Sequence, residues 1–298
     1  MKKITAALES AKIEFKPNEP MKKHTSFKIG GAADLFVCPA SCDELVKTVE
    51  AAEENGVPLT VVGNGSNLLV SDAGIEGVVI CLEKMNDVAV NGNIITAGAG
   101  ALLGKIAAEA AANSLTGMEF AAGIPGSTGG AVVMNAGAYG GEMKDIVKKV
   151  TAFKNGKIIE FDGEECDFAY RHSIFSSGEY IIVQVEMELK PGDKTEILGV
   201  MKDLAGRRRE KQPLEFPSAG STFKRPEGYF AGALIEEAGL KGFRIGDAQV
   251  SEKHAGFVIN CGNATCEQIL ALVTEVKNCV FKNSGVMLEE EIKVTGRR

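Results

Sequence analysis

The chain lacks several features that would settle its class early. No apolar run approaches the roughly 20 residues needed to cross a bilayer. No glycine-rich turn ends in Gly-Lys-Ser/Thr, and neither an internal repeat nor a low-complexity tract is visible. The three histidines lie far apart, and the seven cysteines form no CxxC pair. Cys38/Cys42 and Cys261/Cys266 are the nearest pairs, a spacing that argues against a metal centre and fits thiols kept in a reducing compartment. The formal net charge of −7 argues against nucleic acid or an anionic membrane as the main partner. It leaves room for a local basic patch, Arg207-Arg208-Arg209 followed by Lys211. The segment MKKITAALESAKIEF opens with two lysines as a leader would. Glu9 and Lys12 then break its apolar stretch, and no cleavage-like site follows. A cytoplasmic protein is the expectation.

What is present is an ordinary globular composition: 298 residues, 45% hydrophobic and 24% charged, enough for about two domains. Residues 34–37 have strand character. Ser41 and Glu44 have capping-box spacing for a helix that stops at Asn55-Gly56. Leu59–Val62 and Val78–Leu82 are further strands, and Asn91-Gly92 and Asn155-Gly156 sit between alternating segments as hairpin turns. Pro191-Gly192 marks a change of texture. Beyond it Ile197, Leu198, Val200, Met201 and Leu204 give a helical stripe, and Thr265 with Gln268 caps a helix carrying Ile269, Leu272, Val273 and Val276. A last strand, Val286 to Val294, puts Leu288 and Ile292 on one face and Glu289, Glu291 and Lys293 on the other. Glu290 is the odd member of the apolar face. A domain border near Lys190–Thr195 gives residues 1–192 and 193–298.

Three glycine-rich segments compete as phosphate cradles. The first, Gly63-Asn64-Gly65-Ser66-Asn67-Leu68, follows a buried strand, so consecutive backbone N–H groups can approach a diphosphate. The second, Gly98-Ala99-Gly100-Ala101-Leu102-Leu103-Gly104, imitates a dinucleotide fingerprint. No acidic strand end lies about 20 residues on, so it is taken as a helix entry. The third runs Gly123-Ile124-Pro125-Gly126-Ser127-Thr128-Gly129-Gly130-Ala131 and continues to Asn135-Ala136-Gly137. Glycine at this density costs chain entropy, which points to backbone lying close to a large flat ligand.

Six separated blocks resemble the UDP-N-acetylenolpyruvoylglucosamine reductase family. They are Lys23–Asp34 (KHTSFKIGGAAD), the GNGSNLL turn, AGIPGSTGGAVVMNAGAYGGE, Tyr170–Phe175 (YRHSIF), Gly220–Pro226 (GSTFKRP) and Leu288–Ile292 (LEEEI). The resemblance implies an α+β fold: an FAD-binding domain of the vanillyl-alcohol-oxidase (PCMH) type, made of two α/β subdomains behind an N-terminal helix, plus a C-terminal α+β substrate-binding domain. It implies non-covalent FAD, NADPH as hydride donor, and the enolpyruvyl ether of UDP-N-acetylglucosamine as substrate. Cofactor contacts would come from Gly63, Asn64, Gly65, Ser66, Asn67 and Leu68, from Gly123, Ile124, Pro125, Gly126, Ser127, Gly129, Gly130 and Ala131, and from Asn135, Ala136 and Gly137. The stretch between Tyr170 and Ser221 is too short for the substrate-covering tyrosine loop of one subclass, so the chain resembles the loop-lacking type. Lys211 matches a substrate lysine. Arg225 and His254 stand where the other type has asparagine and glutamine, so phosphate and carboxylate contacts must be rebuilt there. A monomeric state is compatible with all of this.

By the same resemblance Arg171, Ser221 and Glu291 form the catalytic trio, and the chemistry wants such groups. Hydride addition to an enol ether bearing a carboxylate builds negative charge, which preorganised donors stabilise. The guanidinium of Arg171 has a planar fork that suits a carboxylate. Ser221 would give a proton to the charged carbon, helped by Gly220 beside it and by Lys224 or Lys211. Glu291 would orient or protonate at the same centre. Two other classes stay open: a different flavin oxidoreductase on the same scaffold, and a nucleotide-sugar-binding regulator with a dead flavin site.

Overall fold

The computed structural model describes residues 1–297 and divides them into two compact units, each discontinuous in sequence. The first is built from residues 1–16, 35–64 and 77–208, the second from 17–34, 65–76 and 209 onward. A single border near residue 192 is therefore not what the chain adopts. Residues 17–34 and 65–76 join the C-terminal part because they carry apolar side chains, Phe27, Ile29 and Leu69, that lie in its core.

In the first unit a five-stranded antiparallel sheet has the spatial order Lys157–Asp162, Val147–Lys154, Ile181–Glu188, Ile94–Gly98, Val88–Asn91. One of its hairpins closes on its Asn-Gly pair and the other one residue beyond. Lys154 pairs with Lys157 around Asn155 (φ 49°) and Gly156 (φ 75°), the two left-handed residues a type I′ turn requires. Asn91 pairs with Ile94, so the loop is Gly92-Asn93, with Gly92 at φ 61°. The strand Leu59–Val62 runs parallel to Ile75–Cys81, three residues longer at its start than expected, in a sheet ordered Phe15–Pro20, Ala32–Val37, Ile75–Cys81, Leu59–Val62. Parallel neighbours buried on both faces need continuous apolar runs, and Val78, Val79 and Ile80 are all fully buried. Helix Cys42–Glu54 starts on the Ser41 hydroxyl, which accepts from the Glu44 N–H at 3.2 Å. Its Leu45 and Val49 enter the same core as Ile4 and Leu8 of helix Lys2–Ser10.

The second unit packs helices Ala231–Glu237 and Cys266–Ser284 with a three-stranded antiparallel sheet ordered Arg244–Ile245, Ala248–Val250, Val258–Asn260. The capping box expected at Thr265 is made in full, which holds the long helix start by about 1 kcal/mol. Ile269, Leu272, Val273 and Val276 are buried as their spacing demands. Two expectations change. The helix Lys194–Lys211 runs through the arginine cluster, but of its expected apolar stripe only Ile197 is buried, with Leu198 and Val200 exposed. The long last strand is replaced by a short one, Lys293–Thr295, parallel to Leu68–Val70. The segment before it is held by a short antiparallel ladder, with Lys224 N–H donating to Glu289 O and Glu291 N–H to Thr222 O. Leu288 and Ile292 are buried, whereas Val294 is half exposed because it lies beyond the core.

Candidate functional site

Tertiary packing brings two of the three glycine-rich segments together within the first unit. Asn64 Nδ2 donates to the carbonyl of Pro125 at 2.6 Å. A Cβ on Gly63 would stand 2.1 Å from Ser127 Oγ, so glycine here lets the turns meet with the serine hydroxyl pointing as it does. The second run, expected to be a helix entry, is one: helix Leu103–Ala112 follows it. Its backbone donors are spent inside the protein, Gly98 on Asp87 O, Ala99 on Val183 O, Gly100 on Met85 O and Leu103 on Gly126 O. In turn Ala99 O and Ala101 O accept from Gly129 and Thr128. The decoy run is thus the backing on which the third segment is seated.

Ser127 is 2% exposed, and its Oγ has no hydrogen-bond partner. An unpaired buried hydroxyl costs about 1–3 kcal/mol. Its place between Gly63 and Gly130 marks it as a donor or acceptor waiting for a ligand, so the cradle fits a phosphate-bearing cofactor. Ile124 and Ala136 pack on the first core, and Gly129 and Ala131 are buried. Gly126 is half-buried, and Gly123, Pro125 and Gly130 are exposed.

Asn135 departs from its expected role as a cofactor contact. It is fully buried, and its amide is consumed: Nδ2 donates to Glu142 (2.7 Å) and to Ala169 O (3.0 Å), while Oδ1 accepts from Lys144 N–H (2.9 Å). What it holds is the turn that carries Arg171. Ala169 and His172 exchange backbone hydrogen bonds, and Arg171 sits in that turn at φ 55°. A left-handed arginine costs about 1–3 kcal/mol. Ser173 and Ser176 both donate to Val133 O, at 2.9 and 2.8 Å, pinning the turn's exit to the end of the short helix Thr128–Val133. The guanidinium donates to Gly137 O at 3.3 Å and lies 5.1 Å from the Tyr170 ring. Arg171 is therefore anchored to the same glycine-rich segment from both its backbone and its side chain.

The remaining candidates belong to the second unit. Gly65 is buried with its carbonyl accepting from Ser26 N–H, Ser66 is half-buried, and Leu68 opens the strand paired with Lys293. Asn67 Nδ2 donates to Glu291 O at 3.1 Å, and Asn67 O accepts from Lys293 N–H. Ser221, exposed, precedes Thr222, whose carbonyl takes the Glu291 N–H. The ladder thus brings Ser221 and the half-buried Glu291 into adjoining chain positions. Glu290 is engaged elsewhere, with the Lys277 ammonium at 2.8 Å. Burial works to raise its pKa, yet that ammonium holds the carboxyl below its ordinary value. Lys224, expected as one helper of Ser221, is paired with Glu289 at 3.2 Å.

Lys211 ends its helix exposed, and the Arg225 guanidinium lies 4.0 Å over the Phe230 ring. His254 is half-buried beside Gly232 and Gly256. Burial holds its pKa below the ordinary histidine value, reinforced by the ammonium groups of Lys241 and Lys211. Its Nδ1 accepts from Gly256 N–H at 3.1 Å, so the ring's proton sits on Nε2. A neutral Nε2–H donor, not a cation, is what His254 offers. The sequence named Arg208 only as one of a basic patch and did not mark Gln212 at all. Of the three arginines, Arg208 alone is half-buried, with its side chain 3.2 Å from where a Cβ on Gly123 would be, and burial pulls its pKa down. Gln212 Oε1 is buried without a partner. Only the phase of a helix that runs through the cluster distinguishes Arg208 from its neighbours.

A glycine cradle with an unsatisfied hydroxyl, on a scaffold whose residues 33–162 match the FAD binding domain family, defines a flavoprotein of the PCMH type. Residues 212–295 match the family of the UDP-N-acetylenolpyruvoylglucosamine reductase C-terminal domain. The chain is 50% identical over 297 residues to UDP-N-acetylenolpyruvoylglucosamine reductase of Caldanaerobacter subterraneus subsp. tengcongensis, covering 99% of this chain and 98% of that protein. It is 51% identical over 288 residues to the Clostridioides difficile protein of the same name, covering 96% and 95%. The crystal structure of the Thermus caldophilus reductase (MurB) superposes with a TM-score of 0.82 at 37% identity, over 95% of this chain and 98% of that one. The chain belongs to the UDP-N-acetylenolpyruvoylglucosamine reductase family.

Proposed function

We propose that this chain reduces the enolpyruvyl ether of UDP-N-acetylglucosamine to UDP-N-acetylmuramate in the cytoplasm, with NADPH as the electron source, as a step of peptidoglycan synthesis. The observation that carries this reading is the near-full-length similarity to reductases of that name, 50% identical over 297 residues in one case. FAD, when bound, supplies a carrier that accepts a hydride from NADPH and delivers it to the alkene carbon.

The protein's own groups do the rest. Gly63 and Asn64, with Gly123 to Ser127, hold the cofactor's phosphates by backbone approach, and Ser127 Oγ gains the partner it lacks. Arg171 grips the substrate carboxylate and stabilises the charge that spreads into it, a donor fixed in advance by its anchored turn. Ser221 gives its hydroxyl proton to the carbon next to the ether oxygen, and Glu291 orients that transfer. Lys211 and Arg225 meet the diphosphate as cations, and His254 donates from Nε2 without adding charge.

The test is spectroscopic. The purified protein should be yellow, bleach anaerobically on adding NADPH, and recolour on adding the enolpyruvyl sugar. Recolouring by dioxygen alone, with the sugar inert, would assign it to another flavin oxidoreductase on this scaffold. A colourless protein that binds the sugar would make it a regulator.

A further inference from the structure

Folding pairs the cysteines differently from their spacing in sequence. Cys38 follows the strand Ala32–Val37 and Cys81 ends the strand Ile75–Cys81, its neighbour in the sheet. Glu83 lies two residues on, in the single turn Leu82–Lys84. The two sulfur atoms and a Glu83 carboxylate oxygen all stand within 4.8 Å of one another, the one such trio of ligating groups among the described residues. Cys81 is 3% exposed, Cys38 is half-buried and Glu83 opens to solvent.

One edge of this trio already has the length found in a coordination sphere. With zinc–sulfur bonds of ~2.3 Å and a zinc–oxygen bond of ~2.0 Å, tetrahedral geometry sets the S···O edge at ~3.5 Å. Cys38 Sγ and Glu83 Oε1 are 3.5 Å apart before any ion is considered. The adjacent ammonium of Lys84 is paired with Glu14 at 3.1 Å, and no ion pair is made by Glu83 among the described residues. A packing role would need neither the second sulfur nor the carboxylate. Two thiolate donors select a borderline or soft ion over magnesium or calcium.

We propose that Cys38, Cys81 and Glu83 form a binding site for a divalent cation of the zinc class, with water as fourth ligand. On loading, each S–H bond is exchanged for a sulfur–metal bond and two protons leave to solvent. The site lies behind the first glycine turn, where Cys81 Sγ stands 3.8 Å from Gly63 O, and it uses none of the groups assigned to the reduction.

Cobalt(II) is the probe, added anaerobically to holoprotein reduced with a phosphine and freed of chelator. One equivalent should produce tetrahedral ligand-field bands at wavelengths beyond the flavin's absorption, together with a thiolate charge-transfer band, and zinc should displace it. Cys38→Ser should abolish the charge-transfer intensity from that sulfur. Glu83→Gln, an exposed and structurally mild change, should weaken zinc binding at least tenfold by calorimetry. Cys42→Ser should leave both signals as they are. Octahedral or absent cobalt bands overturn the proposal, as does zinc binding unchanged in both Cys38→Ser and Glu83→Gln.

Discussion

Asn64 and Pro125 are 61 residues apart in sequence and joined by a 2.6 Å hydrogen bond from Nδ2 to the carbonyl oxygen. That bond fixes the spacing of the two turns proposed to hold the cofactor. A neutral hydrogen bond contributes about 0.5–1.5 kcal/mol, so Asn64→Ala should weaken flavin retention roughly 3- to 10-fold. Recovery of free-flavin fluorescence on dilution measures this. Retention equal to wild type would mean the two turns are held by other means.

Ser127→Ala should act with opposite signs on the two forms of the protein. Removing an unpaired buried hydroxyl stabilises the apoprotein by about 1 kcal/mol or more. The same change deletes a contact to the cofactor and should lower its affinity. Thermal unfolding of apoprotein and holoprotein gives both numbers. A less stable apoprotein with unchanged FAD affinity would remove Ser127 from the cradle.

Arg171 occupies a backbone conformation that suits glycine (φ 55°). Arg171→Gly should therefore unfold at the same temperature as wild type or higher, while kcat collapses by about two to three orders of magnitude, the usual loss of one preorganised charge-stabilising donor. Arg171→Lys keeps the charge but not the fork, and should fall between. A glycine variant that is both active and no more stable would show the strain to be incidental.

Ser221→Ala should lower turnover by roughly 10²–10⁴-fold and leave bleaching by NADPH at the wild-type rate, because the proton is needed only in the second half-reaction. Wild-type kinetics should give parallel double-reciprocal lines and inhibition by excess sugar, the pattern expected when both reactants use one site in turn. Intersecting lines would argue for separate sites.

The His254 ring is held neutral by burial, below the ordinary histidine value of 6.5. Its depressed pKa means the unfolded chain takes up the proton first on acidification. The contribution is thus fully present above about pH 6.5 and is lost as pH falls toward the folded-state value. His254→Gln should make stability in urea less steep between roughly pH 7 and pH 5. An identical slope in both proteins would mean the ring titrates alike folded and unfolded.

The sequence determined whatever depends on neighbours along the chain. The Asn155-Gly156 turn follows from which residues tolerate a left-handed backbone, the Thr265 cap from a side chain reaching three residues on, and the buried faces of Cys266–Ser284 from a 3.6-residue period. Shared blocks of sequence carried the family and the expectation of a catalytic trio. Tertiary structure alone decided which glycine run is a cradle and which is its support, since that depends on whether each N–H is spent on a strand dozens of residues away. It also turned Asn135 inward to hold the Arg171 turn, singled out Arg208 from three identical side chains, and set Cys38 against Cys81 and not Cys42. Burial and pairing between distant segments are products of the whole fold, and no local pattern encodes them.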